Sequence, residues 1–127
     1  MAATNYKDLI VWQKAMDLVV EVYNITKLLP KFETYGLSDQ MRRAAVSIPS
    51  NIAEGQGRNS SREFVRFLKI SRGSYSELDT QLQICLRLGY VNESDLKNVF
   101  NLADEVGKML SGMIRKMDID WQLATSN

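Results

Sequence analysis

Residues Ser60–Cys85 read SSREFVRFLKISRGSYSELDTQLQIC, and this stretch decides the fold. Phe64, Leu68, Ser71, Tyr75, Leu78, Leu82 and Cys85 recur at alternating four- and three-residue steps, the spacing of one long helical seam packed against other helices. Ser60 stands where an N-cap is needed and Glu63 three residues on can reach back to it, the spacing of a capping box. At about 100° per residue, Arg62, Arg66 and Lys69 lie roughly opposite Phe64 and Leu68, with Arg72 on a flank. Gly73 in mid-helix costs roughly 1 kcal/mol relative to alanine, which points to close approach of a neighbouring helix.

Upstream, SIPSNIAEGQGR (Ser47–Arg58) looks like a shaped helix end. The helix it closes begins at Leu37 or Ser38 and carries Met41, Ala44, Ala45 and Ile48 inward. Pro49 deprives the Ala45 carbonyl of its backbone donor, so a kink or weakened turn is expected there, with Ser47 and Ser50 placed to repair it. Ile52 and Ala53 resume the apolar phase, and Gly55 and Gly57 are expected to close the helix through positive-φ conformations.

The first helix is expected over Asp8–Leu29, stopped by Pro30. It bears two apolar tracks, one through Trp12, Met16, Val19, Tyr23 and Thr26, the other through Val11, Leu18, Val22, Ile25 and Leu29. Such a broad face suits either a helix central to its own bundle or one that also meets another subunit. After the turn at Gly89 and Tyr90, Asn92 and Asp95 signal a fourth helix whose stripe runs through Leu96, Val99 or Phe100, Ala103, Val106, Leu110, Met113 and Met117. Trp121 and Leu123 either fold back over an open end or touch a neighbour, and the rest of DWQLATSN reads as frayed. Four helices with short connections make the chain all-α, an antiparallel up-down-up-down four-helix bundle forming one domain over residues 1–127, with short flexible termini.

Hydrophobic residues make up 45% and charged residues 24% of the 127, as in a globular protein. No run reaches the roughly 20 apolar residues that span a bilayer, and no basic or apolar leader opens the chain, so no membrane partner and a cytoplasmic location are expected. With no histidine and one cysteine, the Ser-His-Asp and Cys-His nucleophilic arrangements and the usual soft metal sites are excluded. Glu77 and Asp79, two apart, do not share a helical face, and AEGQGR lacks the spacing of a phosphate loop. No catalytic residue, no metal site and no cofactor are expected, and Cys85 reads as a buried small hydrophobe.

The formal net charge of +1 conceals segregation: Met41–Arg72 holds seven basic residues against Glu54 and Glu63, while the remainder holds nine basic against thirteen acidic. Arg42, Arg43, Arg58, Arg62, Arg66, Lys69 and Arg72 are thus a solvated helix face, a phosphate-contacting surface or a face that meets an acidic patch on another subunit. Pro49, Asn51, Glu54, Gly55 and Gly57 form an expected structural lock, with Asn51 and Glu54 bonding to Arg42, Arg58 or the next helix start. Ligand contact by Arg58, oriented by Asn51, is the alternative.

In VWQKAMDL (Val11–Leu18), QMRRAAVSIPSNIAEGQGR (Gln40–Arg58), EFVRFLKISRGSYSELDTQL (Glu63–Leu82) and LGY (Leu88–Tyr90), the chain resembles a bacterial four-helix-bundle family. That family is named after proteins encoded in intervening sequences of 23S ribosomal RNA genes, and the match covers roughly Tyr6 to Met117. It is similar in turn to the accessory subunit of diversity-generating retroelements, a homopentameric barrel that binds nucleic acid and partners a reverse transcriptase. The resemblance implies a ring-like homo-oligomer, a homopentamer, with RNA or DNA and a reverse-transcriptase-like or other protein as partners. Two functions are therefore expected: a non-enzymatic oligomer binding RNA or DNA phosphates through its basic surface, or a structural protein-interaction subunit that binds no nucleic acid. Nothing in the sequence promises base-specific reading.

Overall fold

The computed structural model describes residues 5–125, apart from the side chains of Trp121, Ala124 and Thr125; the expected packing of Trp121 lies outside the described residues. Four helices follow in order: α1 Ile10–Thr26, α2 Leu37–Gln56, α3 Ser61–Arg87 and α4 Glu93–Thr125. Short 3-10 turns at Tyr6–Asp8 and Lys31–Glu33 precede the first two. Each helix packs on its sequence neighbours and α1 closes the square against α4, while the diagonal pairs stay apart among the described residues. The result is an all-α four-helix bundle.

Local chemistry sets the helix ends. Leu9 is extended, so α1 starts at Ile10 rather than Asp8. At its other end the chain tightens into three successive i to i+3 bonds over Lys27, Leu28 and Leu29, because Pro30 disfavours the helical conformation in the residue before it. Ser60 accepts the Glu63 backbone N–H at 3.0 Å as expected. The Glu63 carboxylate does not return to Ser60 but binds Arg66, so this capping box is half made. The reciprocal box occurs instead at α4: Asn92 Oδ1 accepts from the Asp95 N–H at 2.9 Å and Asp95 Oδ2 from the Asn92 N–H at 3.0 Å. No proline or glycine follows Gly112, and α4 continues through Trp121 to Thr125, where the sequence reading expected a frayed tail.

The second α1 track is the core track: Val11, Ala15, Leu18, Val22, Ile25 and Leu29 are buried with Met41, Ile48, Ile52, Leu68, Leu78, Leu82, Leu96, Val106 and Leu110. The first track divides: Trp12 and Val19 are half-buried against the core, while Met16 and Tyr23 are about two-fifths exposed and Val20 beside them is 60% exposed. On α4, Ile114 is buried while Met113 and Met117 only flank the core.

Pro49 is buried inside an α2 that runs on as one helix. Ser71 of α3 donates to the Ile48 carbonyl at 2.9 Å, and Ser74 donates to Ser47 Oγ at 2.8 Å. Asn51 Nδ2 donates to both the Ser47 carbonyl and hydroxyl, at 2.9 Å each, instead of reaching Arg42, and Ser50 is exposed. Gly55 and Gly57 are not in positive-φ conformations; Gly57 has φ −75°, and the left-handed glycine is Gly89 at φ 74°. Gly55 matters for space: a Cβ there would lie 2.6 Å from Phe67 Cβ and 3.0 Å from Phe64 Cδ1. Gly107 is its counterpart in α4, where a Cβ would fall 2.5 Å from the Tyr75 ring, whereas Gly73 faces open space and marks no helix contact. Contacts between α2 and α3 (Gly55 with Phe67, Ile48 with Ser71, Met41 with Cys85) advance along one helix as they recede along the other.

These glycines divide cleanly in their expected response to alanine. Gly55→Ala and Gly107→Ala are expected to destabilise by about 1–3 kcal/mol through overpacking, and Gly73→Ala to stabilise by up to about 1 kcal/mol, as read from urea midpoints. Cys85 supplies a second test. Burial, with a smaller contribution from Glu33, pushes its thiol up from 9.0 to about 11. The unfolded chain therefore loses this proton first, and stability is expected to fall as pH rises from 9.0 towards about 11, less so in Cys85→Ala. At pH 8 the native thiol is expected to resist iodoacetamide.

Candidate nucleic-acid interface

The seven expected cations do not form one patch. Arg42 and Arg43 lie near the start of α2, roughly 20 Å along the helix from its far end by the 1.5 Å rise per residue. Arg42 donates to the Thr34 carbonyl at 3.0 Å and sits 5.9 Å from the centre of the Tyr23 ring. Arg43 pairs with Asp39 at 2.8 Å. Both line a shallow depression with Tyr23, Val46 and Ser47, apart from the other five.

Arg58, Arg62, Arg66, Lys69 and Arg72 follow the α2–α3 turn and the first half of α3. Three of them are engaged with carboxylates: Arg58 with Glu54 at 3.2 Å, Arg66 with Glu63 at 3.0 Å, and Lys69 with Asp118 of α4 at 3.8 Å. The Arg66 hydrogen bond holds the Glu63 carboxyl below its ordinary value and raises Arg66 in return. The guanidinium centres of Arg58 and Arg66 also lie 5.0 and 4.5 Å from the centre of the Phe67 ring, closing over a side chain buried against Gly55. Within the expected lock, Glu54 ties to Arg58, Asn51 ties α2 to itself at Ser47, and Gly55 admits α3.

Two connected depressions run along the α3–α4 side. One, of about 520 Å³, is lined by Ser60, Arg62, Glu63, Arg66, Lys69 and Asp118. The other, about 460 Å³, shares Lys69 and Asp118 and adds Arg72, Ser111 and Arg115. Arg115 was missed by the sequence reading, because it lies 43 positions after Arg72 in the chain and only the pairing of α3 with α4 brings the two into one groove. Its signal was position alone, immediately after the core residue Ile114. Among the described residues no group of three or more His, Cys, Asp or Glu can hold a metal ion, and no helix is long and apolar enough to cross a membrane.

At the opposite end, Glu33 joins both connections: Oε1 accepts the Leu37 N–H at 3.1 Å and Oε2 accepts the Tyr90 hydroxyl at 2.8 Å. This gives Tyr90 of the LGY motif a structural duty, and the bond to Glu33 raises its hydroxyl above the usual tyrosine value. The profile described as 23S rRNA-intervening sequence protein matches residues 7–112, the span that holds both this tie and the lock. The chain belongs to that family. The 23S rRNA-intervening sequence fold is also seen in a crystal structure from Bacteroides thetaiotaomicron, described as a protein with unknown function from the S23 ribosomal protein family. It is 25% identical, with a TM-score of 0.77 over 83% of this chain and 98% of that one. No curated protein matches the chain. The intervening-sequence association supplies a nucleic-acid context.

The two roles of Arg66 are separable from those of Arg72. Arg66→Glu is expected to lower the urea midpoint, because it repels Glu63 and uncovers Phe67, whereas Arg72→Glu is expected to leave it unchanged.

Proposed function

We propose that this protein is a non-enzymatic, cytoplasmic nucleic-acid-binding subunit that contacts RNA or DNA phosphates along the α3–α4 side of a single-domain bundle. The observation that carries the reading is the groove shared by α3 and α4. There Arg62, Arg66, Lys69, Arg72 and Arg115 line the two depressions against Glu63 and Asp118, an excess of three positive charges. Arg42 and Arg43, at the other end of α2, would extend the field rather than touch the same phosphates. Affinity would come from charge and shape, since among the described residues no aromatic ring lines these two depressions to stack on a base.

The proposal includes an up-down-up-down course, supported by the opposed pairing of α2 with α3 and by Tyr75 with Gly107 and Lys69 with Asp118 between α3 and α4. It also includes assembly into a ring-like homo-oligomer, a homopentamer by resemblance to the retroelement accessory subunit, with a reverse-transcriptase-like partner following from the same resemblance. The exposed Met16, Val20 and Tyr23 on α1 support an interface there. A protein-interaction role without nucleic acid is favoured by a different observation: Phe32 and Tyr35 stand 77% and 94% exposed on a connection held firm by Glu33 and Arg42.

Binding of nucleic-acid-free protein to fluorescent RNA hairpins and duplex DNA across a salt series tests the reading. Four phosphate contacts on duplex DNA predict a slope of about −3.6 in log affinity against log salt, roughly a hundredfold loss between 50 and 200 mM. Arg62→Glu/Arg72→Glu is expected to bind at least tenfold more weakly with unchanged oligomeric mass. Wild-type protein that ignores both probes at 50 mM salt would leave the protein-interaction role as the surviving one.

A further inference from the structure

We infer that Arg72 of α3 and Arg115 of α4 form a two-sided clamp for one phosphate of a nucleic-acid backbone, with Asp118 as the carboxylate that limits its affinity. This rests on the nucleic-acid reading above and assigns it a specific contact pair.

The cations differ in how far they are already committed. Arg58 and Arg66 are tied to Glu54 and Glu63 and cover Phe67, so a phosphate would have to displace a carboxylate and loosen packing to reach them. Arg72 and Arg115 form no ion pair among the described residues. An uncommitted guanidinium gains a charge-assisted, bidentate bond from phosphate without surrendering one, and its planar fork matches two phosphate oxygens.

Register then brings the pair together. Lys69 meets Asp118, and Tyr75 lies on Gly107, so α3 and α4 pass in opposed order. Three residues after Lys69 is Arg72, and three before Asp118 is Arg115; both line the same depression of about 460 Å³, with Ser111 in its wall. Packed helix axes lie about 8–10 Å apart, within joint reach of two arginine side chains closing on one anion. Asp118 lines the same depression and holds Lys69 at 3.8 Å. It repels an incoming phosphate and occupies the third cation. Removing its charge while keeping its shape frees Lys69 for the ligand.

The test uses full-length protein, with the fluorescent RNA hairpin and matched duplex DNA as probes, and compares Arg115→Glu, Arg115→Gln and Asp118→Asn with wild type and with Arg62→Glu/Arg72→Glu. Arg115→Glu is expected to weaken binding about tenfold and Arg115→Gln by less, each with a salt slope about one unit shallower. Asp118→Asn is expected to tighten binding about threefold. Oligomeric mass and urea midpoint serve as controls for folding, and the glutamine variant keeps the test decisive where the reversal perturbs assembly. Wild-type affinity and slope in both Arg115→Gln and Asp118→Asn, with binding lost in Arg62→Glu/Arg72→Glu, would overturn the clamp and leave the broader reading standing. Loss of oligomeric mass in both Arg115 variants would overturn it in favour of a protein–protein contact. No binding by the wild type would overturn clamp and reading together.

Discussion

The close approach of α2 and α3 is the constraint on which the remaining structure depends. Gly55 lies so near Phe64 and Phe67 that a methyl group would not fit, and Ser71 reaches across to the Ile48 carbonyl in the turn of α2 that contains Pro49. A proline inside a helix leaves a carbonyl without its backbone donor and disturbs the turn before it. Here Ser71 and Ser74 of α3 bind the turn at Ile48 and Ser47, Asn51 binds Ser47 from within, and the helix continues with its apolar phase intact. Ile48 and Ile52, on either side of the proline, can then both point into the core.

The same contact positions the basic side chains. Because Phe67 is pressed against Gly55, its remaining face is closed by Arg58 from the α2–α3 turn and by Arg66 from its own helix. Two of the residues that look most available for a polyanion are therefore partly structural. The residues that remain uncommitted stand further along α3 and on α4, where the mutual approach at Gly107 and Tyr75 sets the groove. Helix lengths contribute as well. At 1.5 Å per residue, the 17 residues of α1 reach about half as far as the 33 of α4, so much of α4 is left to α3 alone. The Lys69–Asp118 pair lies along that α3–α4 side.

Stabilisation at the opposite end is polar. Glu33 accepts from Leu37 and Tyr90 at once and so fastens the α1–α2 connection to the α3–α4 turn, while Phe32 rests edge-on against the Tyr90 ring at 6.3 Å. Gly89 makes that turn feasible by taking the left-handed conformation that L side chains rarely adopt. The connection presents Phe32 and Tyr35 to solvent, which distinguishes this end chemically from the cationic α3–α4 side.

The sequence by itself determined the four helices and most of their inward faces, since periodicity, capping residues and proline act over a few positions of chain. The Ser60 cap, the Asn92–Asp95 pair, the start of α2 and the buried Cys85 were all legible for that reason. It also separated the charges, but only along a line, and so grouped Arg42 and Arg43 with cations at the far end of α2 and omitted Arg115. Tertiary structure alone decided which α1 track is core, that Gly55 and Gly107 serve close approach while Gly73 does not, which carboxylate each arginine meets, and which cations share a groove. Those outcomes depend on distances between residues remote in the chain. They are set by how deeply one helix sinks into another and in what register, and neither quantity is written in the period of a single helix.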